Sequence, residues 1–174
     1  VLFILALVTV IPFIWMFVSS FAPNSDIVSV NGGLFPAPST LGNYTGIQEK
    51  FDFFRLFANS LFIAGVKTAI AIYTSAALGF VFAKMRFRGR NLLFAVVMGT
   101  MMVPWAVTII PQYDMMVRFG WQDTYRALIV PGLISAFGIF LFRQSISGIP
   151  DELIEAAKID GASDTRIFHR IILP

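Results

Sequence analysis

Long apolar runs alternate with short polar stretches along this chain, and the runs set the expected architecture. Four stand out: residues 1–21, 58–84, 92–110 and 127–146. A helix needs about 20 residues to cross a ~30 Å hydrocarbon core, and each run approaches or exceeds that length. The first run contains Pro12 and Trp15 and ends at Ser20-Phe21-Ala22, which imitates a signal-peptide cleavage site. It is longer than a usual signal core, so a spanning helix is the expectation. The second is rich in Ala, Gly, Ser and Thr, the residues that let membrane helices approach closely. The third holds Pro104 and is expected to close at Pro111. The fourth has Pro131-Gly132 near its start and Gly138 in its middle. Backbone groups freed at Pro104 and Pro131 must find partners in neighbouring helices or water.

The intervening stretches read as loops. Residues 22–57 carry PNS, NGG, PAPS and GNY, where Pro and Gly punctuate the chain. Residues 85–91, with Lys84, complete Lys84-Met-Arg-Phe-Arg-Gly-Arg90, which has four cations and no acid. That bias places a loop in the cytoplasm. Alternation then puts 22–57 and 111–126 outside and 147–174 in the cytoplasm.

Composition agrees with a membrane protein. The sequence is 57% hydrophobic and only 13% charged, with mean hydropathy +0.77; soluble domains average about 25% charged. A pI near 9.5 does not imply nucleic acid, because the net charge is +3 and the cations are scattered between apolar runs. The lack of cysteine excludes disulfides and thiolate metal sites, and His169, the single histidine, cannot build a metal site alone. The chain starts inside one apolar run and stops straight after Ile-Ile-Leu, so it reads as a piece of a longer protein.

Residues 150–160, PDELIEAAKID, have helical character. Proline suits a first turn, and Asp151, Glu152 and Glu155 favour the positive end of the helix dipole. Gly161 can leave the helix with positive φ, and Ser163 is a good N-cap for a second short helix through Thr165, Ile167, Phe168 and Ile171. Two such helices are marginal alone. On these grounds the segment is either an amphipathic connector on the membrane surface, with Arg166, His169 and Arg170 at lipid phosphates, or a docking element for a soluble partner.

The spacing of Glu155-Ala156-Ala157, three residues, Gly161, nine residues, Ile171, one residue and Leu173-Pro174 resembles the EAA loop of permease subunits of binding-protein-dependent ABC importers. Asp160-Gly161-Ala162-Ser163 is similar to the form common in the carbohydrate branch. Asn59-Ser60-Leu61, Phe87-Arg88-Gly89-Arg90, Met102-Val103-Pro104, Pro111 and Ile149-Pro150-Asp151-Glu152-Leu153 follow in the family's order. The pattern looks most like the shorter permease of the maltose-type importers. It departs before Val81-Phe82-Ala83-Lys84, where Gly79-Phe80 stand in place of the family's frequent Ala-Tyr.

The resemblance implies an all-α, polytopic transmembrane bundle of the type I importer fold, with four of six expected spans in this sequence. It implies no catalysis and no cofactor on this chain, since ATP and Mg belong to partner subunits. The expected partners are a second permease, two cytoplasmic ATPases and an extracytoplasmic solute-binding protein, in a bacterial or archaeal cytoplasmic membrane. By the same resemblance Glu155, Ala156, Ala157, Asp160, Gly161, Ala162, Leu173 and Pro174 couple to the ATPase. Glu155 would meet a basic group there, Ala156 and Ala157 would give a flat surface, and Gly161 would let the chain turn within the ATPase cleft.

Proline- and glycine-broken spans point to a substrate path, which singles out Pro104, Trp105, Pro131 and Gly132. Trp105, Tyr73 and Phe137 either stack on a sugar or simply pack. Lys67 lies within the second run, where a central lysine costs about 2.5–3.5 kcal/mol on insertion scales. It either faces a cavity or partner or snorkels toward the outer interface. The competing functional reading is a secondary transporter or channel without an ATPase; the spans contain no Asp or Glu that would suggest a proton relay. No phosphate-binding Gly-rich loop is present, so the chain is not expected to hydrolyse ATP itself.

Overall fold

The computed structural model describes residues 2–23, 27 and 40–174. Among the described residues the fold is all-helical, without strands. It divides into two compact units, Val1–Asn59 and Ser60–Pro174.

In the first unit, α1 spans Leu2–Ser19 and tolerates Pro12 in its interior. The expected loop 22–57 is not wholly a loop: α2 covers Gly42–Lys50. Asn43 explains why α2 docks at the end of α1. Its Nδ2 donates to the carbonyls of Ser20 at 2.9 Å and Ala22 at 2.8 Å, groups that a helix end leaves without partners. Tyr44 adds a hydroxyl contact to Ser20 Oγ at 2.6 Å and a ring contact to Phe21. The motifs NGG and PAPS and most of PNS lie outside the described residues.

The second apolar run also starts earlier than its composition suggested. Helix α3 covers Phe53–Lys84, 32 residues, because Asp52 Oδ1 accepts the Arg55 N–H at 3.1 Å and caps it.

Within the second unit, small residues on α3 form the contact expected of them. Helix α7, Ala136–Ser147, crosses so closely that a Cβ at Gly79 would lie 2.6 Å from Phe142 Cβ and 3.0 Å from the Arg143 nitrogen. One turn away Gly138 rests on Ser75, which is 2% exposed. Glycine lets the two backbones meet where dispersion replaces hydrophobic drive.

The third run is where expectation and structure part. It is not one helix over 92–110 but two, α4 at Arg90–Thr100 and α5 at Trp105–Arg118, bent by 94°. Pro104 causes the break: it has no N–H to donate, and it disfavours helical geometry at Val103. Pro111 does not close the helix but lies inside α5, so the expected loop 111–126 is helical as far as Arg118. The fourth run holds as a broken element. Helix α6, Tyr125–Ile129, passes into a 3₁₀ turn at Val130–Gly132 before α7. Thr74 Oγ1 donates to the Leu133 carbonyl at 2.6 Å, satisfying a backbone group that this break exposes.

By length and composition two elements can cross a membrane, Phe53–Lys84 and Tyr125–Ser147, and a third if the bent pair counts as one span. In their most apolar windows only 11% and 6% of residues are buried within the chain. Their remaining apolar surface therefore suits lipid or other helices rather than a core of its own.

Candidate functional site: the paired-helix segment

The segment after α7 forms two short helices. Helix α8 runs from Asp151 to Ile159, and α9 from Asp164 to Ile167, continuing into a π-helical turn at Phe168–Ile172. The turn between them gives the glycine spacing its physical reason. Gly161 has φ 78°; its N–H bonds the Lys158 carbonyl at 3.0 Å, and the Ala162 N–H bonds the Ala157 carbonyl at 2.9 Å. This is the Schellman arrangement, with a left-handed residue just past the helix and an apolar contact closing it. Ala157 and Ala162 supply that contact, since both pack on the same core. Ser163 Oγ then accepts the Arg166 N–H at 3.3 Å and starts α9, while Lys158 bridges the turn to Asp164 at 3.1 Å.

Three connections fix the pair to the Lys84 end of α3. The first is apolar: Ile154, Ile167 and Phe168 join Ala76, Phe80 and Ile146 in one buried cluster. The second is ionic. Lys84 Nζ donates to the Ile149 carbonyl at 2.6 Å and to Asp151 Oδ1 at 2.5 Å. The Lys84 side chain is 7% exposed, and Asp151 is 65% exposed. The hydrogen bond from Lys84, and then its charge, hold the Asp151 carboxyl below its ordinary pKa. The third is aromatic. Tyr73 rests edge-on to Phe168 and against His169. His169 Nδ1 lies 2.8 Å from the Thr165 carbonyl, which only accepts, so that nitrogen carries the proton. In the neutral ring Nε2 therefore accepts from the Tyr73 hydroxyl at 3.1 Å.

These connections place Tyr73 and His169 against each other. Of the two readings of Tyr73, stacking on a sugar or packing, the structure shows packing contacts with the paired helices. His169 bonds α3 on one edge and stays exposed. The hundred-degree step of the helix also separates the two alanines: Ala157 turns inward and Ala156 outward. The outward side presents Leu153 at 53% and Ile159 at 86% exposure, beside exposed Glu155 and Asp160. Glu155 lines an open groove of about 540 Å³ with Lys84, Arg86, Asp151, Lys158 and Asp164. Leu173 and Pro174 close the segment, both exposed.

The residues singled out for a substrate path divide. Lys67, Gly132 and Phe137 line one cavity of about 370 Å³, wide open on one side, between α3, the 130–135 break and α7. Pro131, Pro104 and Trp105 are not among its walls. Pro104 and Trp105 stand at the start of α5, where Trp105 is 70% exposed.

The family model for binding-protein-dependent transport system inner membrane components matches residues 75–174. The chain belongs to that family. It is 32% identical over 173 residues to the arabinooligosaccharides transport system permease protein AraQ of Halalkalibacterium halodurans, covering 98% of this chain and 62% of that protein. It is 34% identical over 174 residues to the lactose transport system permease protein LacG of Rhizobium radiobacter, covering 100% of this chain and 63% of that protein. Its fold is similar to a chain of a bacterial ABC transporter involved in the import of the acidic polysaccharide alginate. There the TM-score is 0.84 at 25% identity, over 99% of this chain and 61% of the other. The chain thus spans about three-fifths of the length of these relatives. The all-helical permease fold that the resemblance implied is the fold the comparisons give, and membership of this inner-membrane family favours a transport component over an enzyme.

In this family member the matched region contains the paired helices and most of what holds them. Two holding devices had only weak sequence signals. Lys84 and Asp151 each sit at a helix end bearing the charge that suits the dipole there, which places each but does not pair them. Tyr73 and His169 are 96 positions apart, and no local spacing connects them.

Proposed function

We infer that this chain is part of the membrane-spanning subunit of an ATP-driven importer for a saccharide or related solute. In this reading the segment 147–174 is its handle for a cytoplasmic ATPase. Support comes from the family membership and from relatives named for arabinooligosaccharide and lactose transport. One geometric observation carries the mechanical part: the paired helices are fixed to α3 on one side and offer Leu153, Glu155, Ala156 and Ile159 on the other. A rigidly held protrusion with an exposed apolar and acidic face can be pushed by a partner without yielding first.

The cations Lys84, Arg86, Arg88 and Arg90 favour a cytoplasmic position for this end of α3, and hence for the handle. The assembly is a second permease, two ATPases that hold ATP and Mg, and an extracytoplasmic solute-binding protein, in a bacterial or archaeal cytoplasmic membrane. Neither nucleic acid nor a cofactor on this chain has a role in it. The residues engaging the ATPase are Glu155, Ala156, Asp160, Leu173 and Pro174, while Ala157, Gly161 and Ala162 shape the handle from within. A charge-assisted contact from Glu155 in a partner's cleft contributes about 1.5–3 kcal/mol.

The test uses the full-length permease with its partner subunits in vesicles. Glu155→Lys is expected to leave membrane insertion intact and to abolish ATP-driven solute uptake, and a cysteine at Ala156 is expected to crosslink to the ATPase. Unchanged uptake together with crosslinks confined to lipid would overturn the assignment.

A further inference from the structure

Lys67 lies near the middle of the 32-residue α3, about 25 Å from Lys84 at about 1.5 Å per residue. The helix is about 48 Å long by the same rise, longer than a ~30 Å hydrocarbon core, so its length alone does not decide between snorkelling and a cavity; the direction of the side chain favours the cavity. The side chain crosses to the 3₁₀ turn. A Cβ on residue 132 would overlap Lys67 Cε and stand 2.6 Å from Nζ, so the stem rests where glycine alone leaves room.

The ammonium borders the 370 Å³ cavity described above, and no Asp or Glu is among the described residues that line it. The walls are largely apolar, with Phe137 offering a ring, and carry the hydroxyl-bearing residues Thr68, Ser75 and Ser135. Ser75 is set back from the opening: it is 2% exposed, and its hydroxyl lies against Gly138 at the α3–α7 contact, so the hydroxyls offered to a solute are those of Thr68 and Ser135. A mostly apolar concavity with a few polar groups and one charge is the make-up of a small-molecule site, and an intramembrane cation marks a solute path more often than a structural element.

We propose that this cavity is a transit site for a saccharide carrying a negative charge, with Lys67 meeting its carboxylate or phosphate and the hydroxyls meeting its hydroxyl groups. This deepens the importer reading and rests on it for the direction of transport; occupancy of the site by an anionic sugar does not.

The sequence contains no cysteine, so Thr68→Cys gives this chain a single thiol beside Lys67, and Phe137→Cys gives a second reporter across the cavity. The full-length permease, with any cysteine outside these residues replaced by serine, is assembled with cysteine-free partner subunits in lipid nanodiscs and treated with thiosulfonates of opposite charge. The anionic reagent is expected to react about tenfold faster than the cationic one, as local anion enrichment requires. Lys67→Met should erase that preference, and Lys67→Arg should keep it. Trigalacturonate and glucose 6-phosphate are then compared as protectants with neutral arabinotriose. Slowing by a charged sugar but not the neutral one, lost in Lys67→Met, supports the site, and the effective sugar tells carboxylate from phosphate. Equal reagent rates, as expected if a partner-subunit carboxylate already neutralises Lys67, would overturn it, as would protection by arabinotriose alone. Co-purification of ATPase subunits is scored on the same sample and bears only on the importer reading.

Discussion

Gly161→Ala isolates the backbone from every other feature of the paired helices. A Cβ at this position meets no atom within 4 Å, so alanine introduces no clash within the chain. It does place an L side chain on a residue at φ 78°, which costs about 1–2 kcal/mol. That cost falls on the two bonds that close α8, from the N–H groups of Gly161 and Ala162. The exposed Lys158–Asp164 pair, with side chains 56% and 47% accessible, adds too little to offset it. Local opening of the turn should therefore rise about 5- to 30-fold. Amide exchange over residues 160–163 of the full-length permease in nanodiscs reads this directly. Asparagine adopts left-handed geometry more readily than alanine, and valine far less. The exchange rates should then run Gly, Asn, Ala, Val from slowest to fastest. A requirement for space in an ATPase cleft gives another order, because alanine is smaller than asparagine. If Gly161→Asn opens the turn more than Gly161→Ala does, the backbone explanation for this glycine fails.

The Lys84–Asp151 clamp gives a pH prediction. The folded pKa of Asp151 is depressed by Lys84, so its stabilisation is present above the ordinary carboxylate pKa and is lost as pH falls through the lower folded value. Protection of the amides at the start of α8, measured relative to their intrinsic exchange at each pH, should stay flat through neutral pH and fall only in acid, and Asp151→Asn should remove that acid dependence. Lys84→Met should loosen the segment more than Asp151→Asn, because it also strands the Ile149 carbonyl; equal effects would refute this. Gly79→Ala should lower thermal stability by about 1–3 kcal/mol through overpacking against Phe142. Gly65→Ala, with nothing within 4 Å of its Cβ, should be neutral or stabilising in the same melt. Tyr73→Phe keeps the ring on Phe168 and loses the bond to His169. It should cost about 0.5–1.5 kcal/mol, seen as faster exchange in the 168–172 turn.

What could be read from the residues was what local chemistry decides. Apolar run length located α1, α3 and the Tyr125–Ser147 element, and the Ser163 and Gly161 signals found the ends of α8 and α9. The third run misled because length and apolarity do not report direction: Pro104 turns the chain by 94° while both halves stay apolar. Pro111 misled in the opposite sense, as a proline inside a helix whose missing bond α5 tolerates. The GNY stretch looked like turn chemistry, yet Asn43 uses its amide on α1 carbonyls, a tertiary contact with no local trace. In the candidate site the motif residues were legible and their facing was not. Ala156 and Ala157 are adjacent in sequence, but only the core beneath Ala157 decides which one looks inward.

Helix α3 meets both the paired helices and the Lys67 cavity. Its Lys84 end is clamped to α8, Tyr73 and Phe80 hold the turn after α9, Ser75 and Gly79 seat α7, and Lys67 borders the cavity. A continuous helix transmits axial displacement well, since each residue is tied to the next turn by backbone bonds. The break at 130–135 has no such continuity, and it is tied to α3 through Thr74 and the Leu133 carbonyl. In the proposed reading a push on the paired helices meets both α3 and Ile146 of α7, and it reaches the 3₁₀ turn along α7 as well as through the side-chain contacts of α3. Displacing α3 relative to that turn would shift Lys67 across Gly132, the one place where the turn offers no side chain to resist it. Bulk at residue 132 should for this reason obstruct motion as well as crowd the lysine, which places the mechanical and the chemical roles of the cavity at the same glycine.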